Sequence, residues 1–563
     1  MSKNNTGVTP MGKLVLNLII LGLFVFGGFF IYKQMQPGKG GTDPVPQPKA
    51  DSGPAAQSSG EVSGIVETQE SVPRLDPAAT YQATDGILDI ELSEYAGYAG
   101  LIAANNGLEP SEDSWFFKNH GFKVRIKLSE EESWSALNSG RMAASATTVD
   151  VLAVYGRQFQ VVVPMQIAFS RGADGIVVKD GIRSINQLKG GIVLTGQFTE
   201  AEFFLRYLAS EAGIPVDVLA DADSVPDPDK INLLFCEDAF EAADAFLAAL
   251  EAGDSRIVGA VTWAPKTTET VAASNGKARL LVTNRNLLVI GDILVVNRGF
   301  AEANPEKVSA LVEGVLEGNR RVRANPTSVF PLLKKAFGWS DAQSAEEIKK
   351  VHLSNLPENR SFFSGAIDAA GSFSGIYQSA VLAYGSKWIP QPVGSERFYD
   401  PTALEAIAGA GKFADEKISI APIASSGNAA LEQDPLLSRD IRFFFEPNSS
   451  RLDMNEAANL EQLAAIQRLM QVSPGSTILL RGHVDNALVA QFRQQGGDAF
   501  VQQMAVKAVA LSHERASAIQ RLLIERQSAD PKRLEVIGRG WEEPIAGDSE
   551  ANRRVEVQWF MIE

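Results

Sequence analysis

A chain of 563 residues with a formal net charge of −16 is long enough for two or three separate cores, and its acidity argues against nucleic acid and anionic membrane surfaces as main partners. At 45% apolar and 21% charged residues, most of it is globular. The single cysteine, Cys236, allows no internal disulfide. The histidines, His120, His352, His483 and His513, are too scattered for metal-ligand spacing, so no metal and no other cofactor is expected.

Taken in chain order, residues 1–13 are polar. Leu14 to Tyr32 then carries no charge and is long enough to cross a hydrocarbon core as a helix. No small-x-small cleavage site or lipobox cysteine follows it, which favours an uncleaved transmembrane anchor over a signal peptide. Residues 33–84 are dominated by Pro, Gly, Ser, Ala and Gln and read as a disordered linker.

From Gly86 the pattern changes. Gly86–Leu92 and Phe122–Leu128 alternate like strands, and a helical run covers Ala99–Asn105. Trp134–Gly140 is a helix ending on glycine, while Val149–Val154 and Val161–Val163 read as strands. Ile192–Thr195 is a strand, and Gly196–Thr199 is a turn opening an amphipathic helix to Leu208. Strands alternating with helices predict an α/β domain over residues 85–415. Residues 416–436 read as a second linker. No nucleophile elbow, phosphate loop or zinc pattern is present, and no enzymatic activity is expected.

The last stretch, 437–563, holds one carboxylate and one guanidinium near the ends of regular elements. Thr477–Arg481 reads as a strand that places Asp485 in the following loop. Ser512 reads as an N-cap, with Ile519, Leu522 and Leu523 as the buried stripe of its helix and Arg515 in the first turn. Such a pair can grip a zwitterion, the carboxylate taking an ammonium and the arginine a carboxylate.

The segments Phe443–Leu452, Gly482-His-Val-Asp-Asn486, Leu511-Ser-His-Glu-Arg-Ala516, Gly538–Ile545 and Asn552–Val557 together resemble the OmpA/MotB-type peptidoglycan-binding domain, an α+β fold. The resemblance implies that Asp485 and Arg515 clamp the diaminopimelate of the peptide stem, with Asn486 and Arg554 in the same binding set. The chain departs from the pattern between Asp485 and Arg515, where the spacing is about twice the usual and includes Gln494–Asp498. It also has Ala508 where asparagine is usual.

Residues 93–108, 136–142, 185–208 and 295–308 together resemble periplasmic solute-binding proteins of ABC importers, in the branch for nitrate, sulfonates and thiamine precursors. This implies two α/β lobes closing on a small solute. Strand ends and helix N-termini, where free N–H groups point, supply the candidate cleft residues: Ser93, Tyr95, Tyr98, Thr147, Thr148, Asp150, Gln197, Thr199, Glu200, Asp238 and Trp263. The acids among them and Glu94 lean toward a neutral or cationic ligand.

A wall-binding domain must face the wall. The expected placement is therefore a single-pass inner-membrane protein with residues 1–13 in the cytoplasm and the rest in the periplasm. It would bind peptidoglycan and capture or sense a small solute. The second reading is a structural tether or docking scaffold whose bilobal domain has lost its ligand. The sequence leaves open the solute and whether a transporter or signalling partner docks on the lobes.

Overall fold

The computed structural model describes residues 64–563, apart from 130–132, 366–370, 421–434, 447–448, 474–475, 546–551 and 561–563. The expected membrane-crossing segment, 14–32, lies outside the described residues. Among those described, no helix is long and apolar enough to cross a membrane.

Two six-stranded sheets form the larger part. The first is built from β1 (Ile87–Leu92), β2 (Lys123–Leu128), β3 (Ala144–Thr148) and β4 (Val161–Ser170). The second takes β5 (Gly175–Lys179), β6 (Ile192–Gly196), β7 (Val216–Val218), β8 (Ile231–Cys236), β9 (Ile257–Thr262) and β10 (Ala278–Thr283). The chain then returns to the first sheet with β11 (Gly291–Asn297) and β12 (Val351–Leu353). The strand orders are β12-β4-β11-β3-β1-β2 and β10-β5-β9-β6-β8-β7. The second lobe is thus an insertion between β4 and β11, and the chain crosses between lobes at residues 171–174 and 284–290. Strands β4, β6, β8 and β11 are buried along their whole length, as their predominantly apolar runs suit in a sheet covered on both faces.

The main helices of this part are α1 (Val149–Tyr155), α2 (Glu200–Glu211), α3 (Ala239–Ala252) and α4 (Phe373–Trp388). The first corrects the expected strand at Val149–Val154. All seven of its residues are buried, and a short, wholly apolar run has no periodicity that separates helix from strand. Helix α4 packs on α1 of the first lobe and on α2 of the second, so it braces both. Its Tyr384 hydroxyl donates to the Thr199 carbonyl at 3.3 Å, and Trp388 meets Phe198 edge-on at 5.4 Å.

Residues 65–84 correct the expected linker. They run extended across both lobes. On the second lobe, Ile65 bridges to Cys236, Thr68 Oγ1 donates to Leu219 O at 2.6 Å, and Gln69 exchanges two hydrogen bonds with the Gln197 side chain. On the first, Gln158 bonds the backbone of Pro73 and Leu75, and Asp76 pairs with Arg141 at 2.8 Å. Composition misled because a few apolar anchors, Ile65, Val72, Leu75 and Tyr81, packed on the lobes, with hydrogen bonds between the strap and other elements, suffice to hold it. Residues 416–420 likewise belong to the first lobe: Glu416 pairs with Arg323 at 2.5 Å, and Ser419 donates twice to Glu358.

The C-terminal domain contains β13 (Leu437–Ile441), α5 (Ala457–Val472), β14 (Thr477–Gly482), α6 (Val489–Gln527), β15 (Leu534–Gly538) and β16 (Val555–Phe560), with strand order β13-β16-β14-β15. Only β14 and β15 are parallel. Helix α6 is kinked at Gly496–Gly497 and otherwise continuous through Ser512, so the expected helix start there is corrected. Ser512 lies buried inside the helix. Its Oγ donates to Val509 O at 2.8 Å and accepts from Gly540 N at 3.0 Å. Gly482 is required beside it, since a Cβ there would stand 2.1 Å from Ser512 O. The domain joins the second lobe through Asn186, whose side chain bonds Ser438 N and O, both at 2.9 Å.

Tyr81 anchors the strap. It is 3% exposed, meets Phe300 edge-on and bonds Asp89 through its hydroxyl. Tyr81→Ala is expected to destabilise the bilobal part by about 3 kcal/mol, read as a lowered thermal midpoint. No change in the midpoint would mean that residues 65–84 are a free spacer after all.

Candidate functional sites

Two sites emerge, one between the lobes and one on the C-terminal domain. The interlobe cleft encloses about 30 Å³. Ser93, Tyr95 and Tyr98 enter it from the turn after β1, Thr147 and Thr148 from the end of β3, and Trp263 from the end of β9. Glu200 lines it from the first turn of α2.

The remaining lining comes from the crossings: Asp174 from the first, and Ile290 and Asp292 from the end of the second. Among these, Asp292 had a signal in the sequence, a lone acid within the apolar run Leu287–Val296. Asp174, in a short turn, had none. Asp174 accepts from Ser170 Oγ and, at 3.1 Å, from Asn284 Nδ2; Asn284 N also bonds Asp174 O at 3.0 Å. The Tyr95 hydroxyl donates to Asp292 at 3.4 Å.

Burial governs the electrostatics here. It pushes Asp150, next to the Thr148 hydroxyl, up to about 7, and Asp174 up to about 6. Burial, and then the Asp174 charge, hold Asp292 well above the ordinary carboxylate range. No lysine or arginine counts among the groups that set these three.

Three expected cleft residues are used elsewhere. Gln197 holds Gln69 of the strap. Thr199 caps α2, its Oγ1 donating to Gly196 O at 2.9 Å. Asp238 caps α3, accepting from Phe240 N and Glu241 N at 2.7 and 2.8 Å. Each sits at a strand-to-helix turn, as expected, but its polar atoms serve the backbone.

The second site is a pocket of about 610 Å³. Its charged lining includes Asp485, Arg515 and Arg553 together with Arg442, Glu446 and Lys507, and Phe443, Phe444, Phe445, Phe492 and Trp541 form its aromatic walls. Asp485, in the loop after β14, accepts from Arg553 Nε at 2.6 Å and from Ala487 N at 3.1 Å. Burial alone would raise its carboxyl group, but the Arg553 guanidinium and that amide hold it below the ordinary value. Arg515 projects from within α6, with its guanidinium over the Phe445 ring at 5.0 Å and its Nε donating to Ser449 O at 3.3 Å. Burial, and then the Arg553 charge, lower its affinity for the proton.

Asp485 and Arg515 therefore face one pocket. Arg554 does not: it is buried, with Nε on Asp440 at 2.8 Å and a second bond to Glu543 O. Its neighbour Arg553 takes the place expected of it, because consecutive residues entering a strand point to opposite faces. Asn486 is exposed, and its carbonyl accepts from Val489 N at 3.1 Å. The long spacing between Asp485 and Arg515 becomes a wall of the pocket, contributing Phe492, Met504 and Lys507. Phe492 lies 6.2 Å from Trp541. Nearby, His483, Glu543 and Glu556 come together, but Arg481 stands among them, bonded to Glu543 at 2.8 Å and to Glu556 at 2.5 Å.

A carboxylate–arginine pocket on a four-stranded α+β sheet defines the class of the C-terminal domain. Residues 444–558 match the OmpA family, and this part of the chain is an OmpA domain. A segment of 171 residues is 25% identical to outer membrane protein Omp38 of Acinetobacter baumannii, covering 28% of this chain and 43% of that protein's length. The two-lobed part is similar in shape to the aliphatic sulphonate-binding protein SsuA of Escherichia coli, with 16% identity, 62% of this chain and 99% of that one covered, and a TM-score of 0.42. For the nitrate-binding protein NrtA of Synechocystis PCC 6803 the values are 11%, 58%, 89% and 0.42. At these scores the two-lobed architecture rests on the strand orders described above.

The raised proton affinity of Asp150 has a checkable sign. The folded chain keeps this proton to higher pH than the unfolded chain does, so the contribution is present below about pH 4 and lost as pH rises to about 7. Asp150→Asn removes that loss. Its thermal midpoint relative to wild type is expected to climb across this window, and a pH-independent difference would show that Asp150 is not held neutral.

Proposed function

We propose that this chain is an envelope protein, anchored in the inner membrane through residues 14–32, that grips peptidoglycan non-covalently with its OmpA domain and captures or senses a small solute between its lobes. The observation that supports it most is the opening of Asp485 and Arg515 onto one pocket of the OmpA domain. In this reading Asp485 takes the ammonium of diaminopimelate and Arg515 its carboxylate, and Arg553 steadies Asp485. The aromatic walls would cover the apolar part of the peptide stem. The cleft, with its buried polar lining at the hinge, is the proposed solute site.

A second reading, in which the bilobal part is a docking scaffold for a transporter or signalling partner, is favoured by one observation: the cleft encloses only about 30 Å³.

Sedimentation of the full-length chain in detergent with purified peptidoglycan tests the wall half. Wild type is expected in the pellet. Asp485→Ala and Arg515→Ala should each weaken binding by about tenfold or more and remain largely in the supernatant. Wild type staying soluble would remove peptidoglycan as the partner.

A further inference from the structure

Three observations in the interlobe cleft bear on the chemistry of its ligand. The charged lining has one sign: Asp174, Glu200 and Asp292, with no lysine or arginine among the lining residues. Asp150, beside Thr148, adds a fourth carboxyl group close to them, since its charge bears on Asp292. The buried guanidinium on α2, Arg206, gives its Nε to Glu202 at 2.7 Å and lies over the Tyr384 ring, with Nη2 left without a partner, and it is not among the lining residues.

Three polar side chains of the lining, Thr147, Thr148 and Trp263, also lack any hydrogen-bond partner. Thr147 is 1% exposed and Trp263 7%, and neither Thr147 Oγ1 nor Trp263 Nε1 is satisfied. A buried donor left unpaired is costly, and an indole N–H can only donate. It therefore calls for an acceptor from outside the chain. Finally, Tyr95 and Tyr98 form an edge-on pair at 5.3 Å, and with Trp263 they set three aromatic rings around the same space. Aromatic faces beside carboxylates attract a poorly hydrated cation.

We infer that the cleft takes a small organic cation carrying an acceptor oxygen, with its ammonium group between Asp174 and Asp292 against the aromatic rings and its oxygen at Trp263 Nε1. An anion would find donors at Trp263 and Thr147 but no cation to offset it, with Asp174, Glu200 and Asp292 in the same lining. A bare metal ion fits less well, because Asp150, Asp174 and Asp292 do not converge within 4.8 Å as ligands of one ion would. Among the described residues only His483, Glu543 and Glu556 do so. At about 30 Å³ the cleft as it stands has room for little more than water, so an organic cation requires the lobes to part further. This inference rests on the proposal that the bilobal part binds a solute.

The test is thermal unfolding of the full-length chain in detergent with three groups of probes. Choline, ethanolamine and glycine betaine carry both features, tetramethylammonium lacks the oxygen, and sulfate, nitrate and methanesulfonate are anions. At least one of the first group should raise the midpoint saturably while the anions do not. Asp292→Asn should raise that probe's Kd about tenfold or more. Trp263→Phe should weaken the oxygen-bearing probe and leave tetramethylammonium unchanged. Peptidoglycan sedimentation serves as the folding control for both variants. Stabilisation by anions alone overturns the ligand class and leaves solute capture standing. Stabilisation by none of the probes overturns the cation and favours the scaffold reading.

Discussion

Asn284 and Asp174 tie the two crossings of the chain together, and the cleft depends on that tie. Asn284 gives Asp174 both its side-chain amide and its backbone N–H, and Gly172 N returns a bond to Asn284 Oδ1 at 2.8 Å. Two single-chain connections that would otherwise flex independently become one short ladder. The same ladder fixes Asp174 and, a few residues on, Asp292 at the floor of the cleft. Burial raises the proton affinity of both carboxyl groups, so the tie holds two acids where water is scarce.

Two further elements hold the lobes together. Helix α4 packs on both, and the strap at 65–84 bonds first the second lobe and then the first. The strap follows directly on the segment that leads from the expected anchor, so a pull on the chain there would act across the cleft. At the other end, the Asn186 side chain of the second lobe bonds the Ser438 backbone of β13 in both directions, which joins the OmpA domain to that lobe. The cleft and the OmpA-domain pocket therefore share a continuous frame.

In the OmpA domain the equivalent constraint is steric. Helix α6 presses so closely on β14 and β15 that Gly482 and Gly538 cannot carry a Cβ; at Gly538 it would stand 2.4 Å from Val509 O. That contact seats the stretch of α6 around Val509–His513, next to Arg515, directly on the sheet. It also explains Ser512, whose hydroxyl satisfies the Gly540 amide at the same close approach.

The sequence by itself determined the order of the parts and the strand and helix character of most periodic segments, because turn residues and the apolar period are local properties. It proposed Asp485 and Arg515 as a pair, and the structure opens both onto one pocket while moving Arg515 from a first turn to the middle of α6. It also named Ser93, Tyr95, Tyr98, Thr148 and Trp263 through their places at strand ends. It did not determine which polar turn residues stay available, since Gln197, Thr199 and Asp238 look the same in sequence as residues that face the cleft. Nor could it choose Arg553 over Arg554, which differ only in the face they take as the strand begins. The pairing of Asp174 with Asn284 and the role of Asp292 were decided by tertiary structure alone. They join positions more than a hundred residues apart, and only closure of the two crossings brings those residues out of water and into contact.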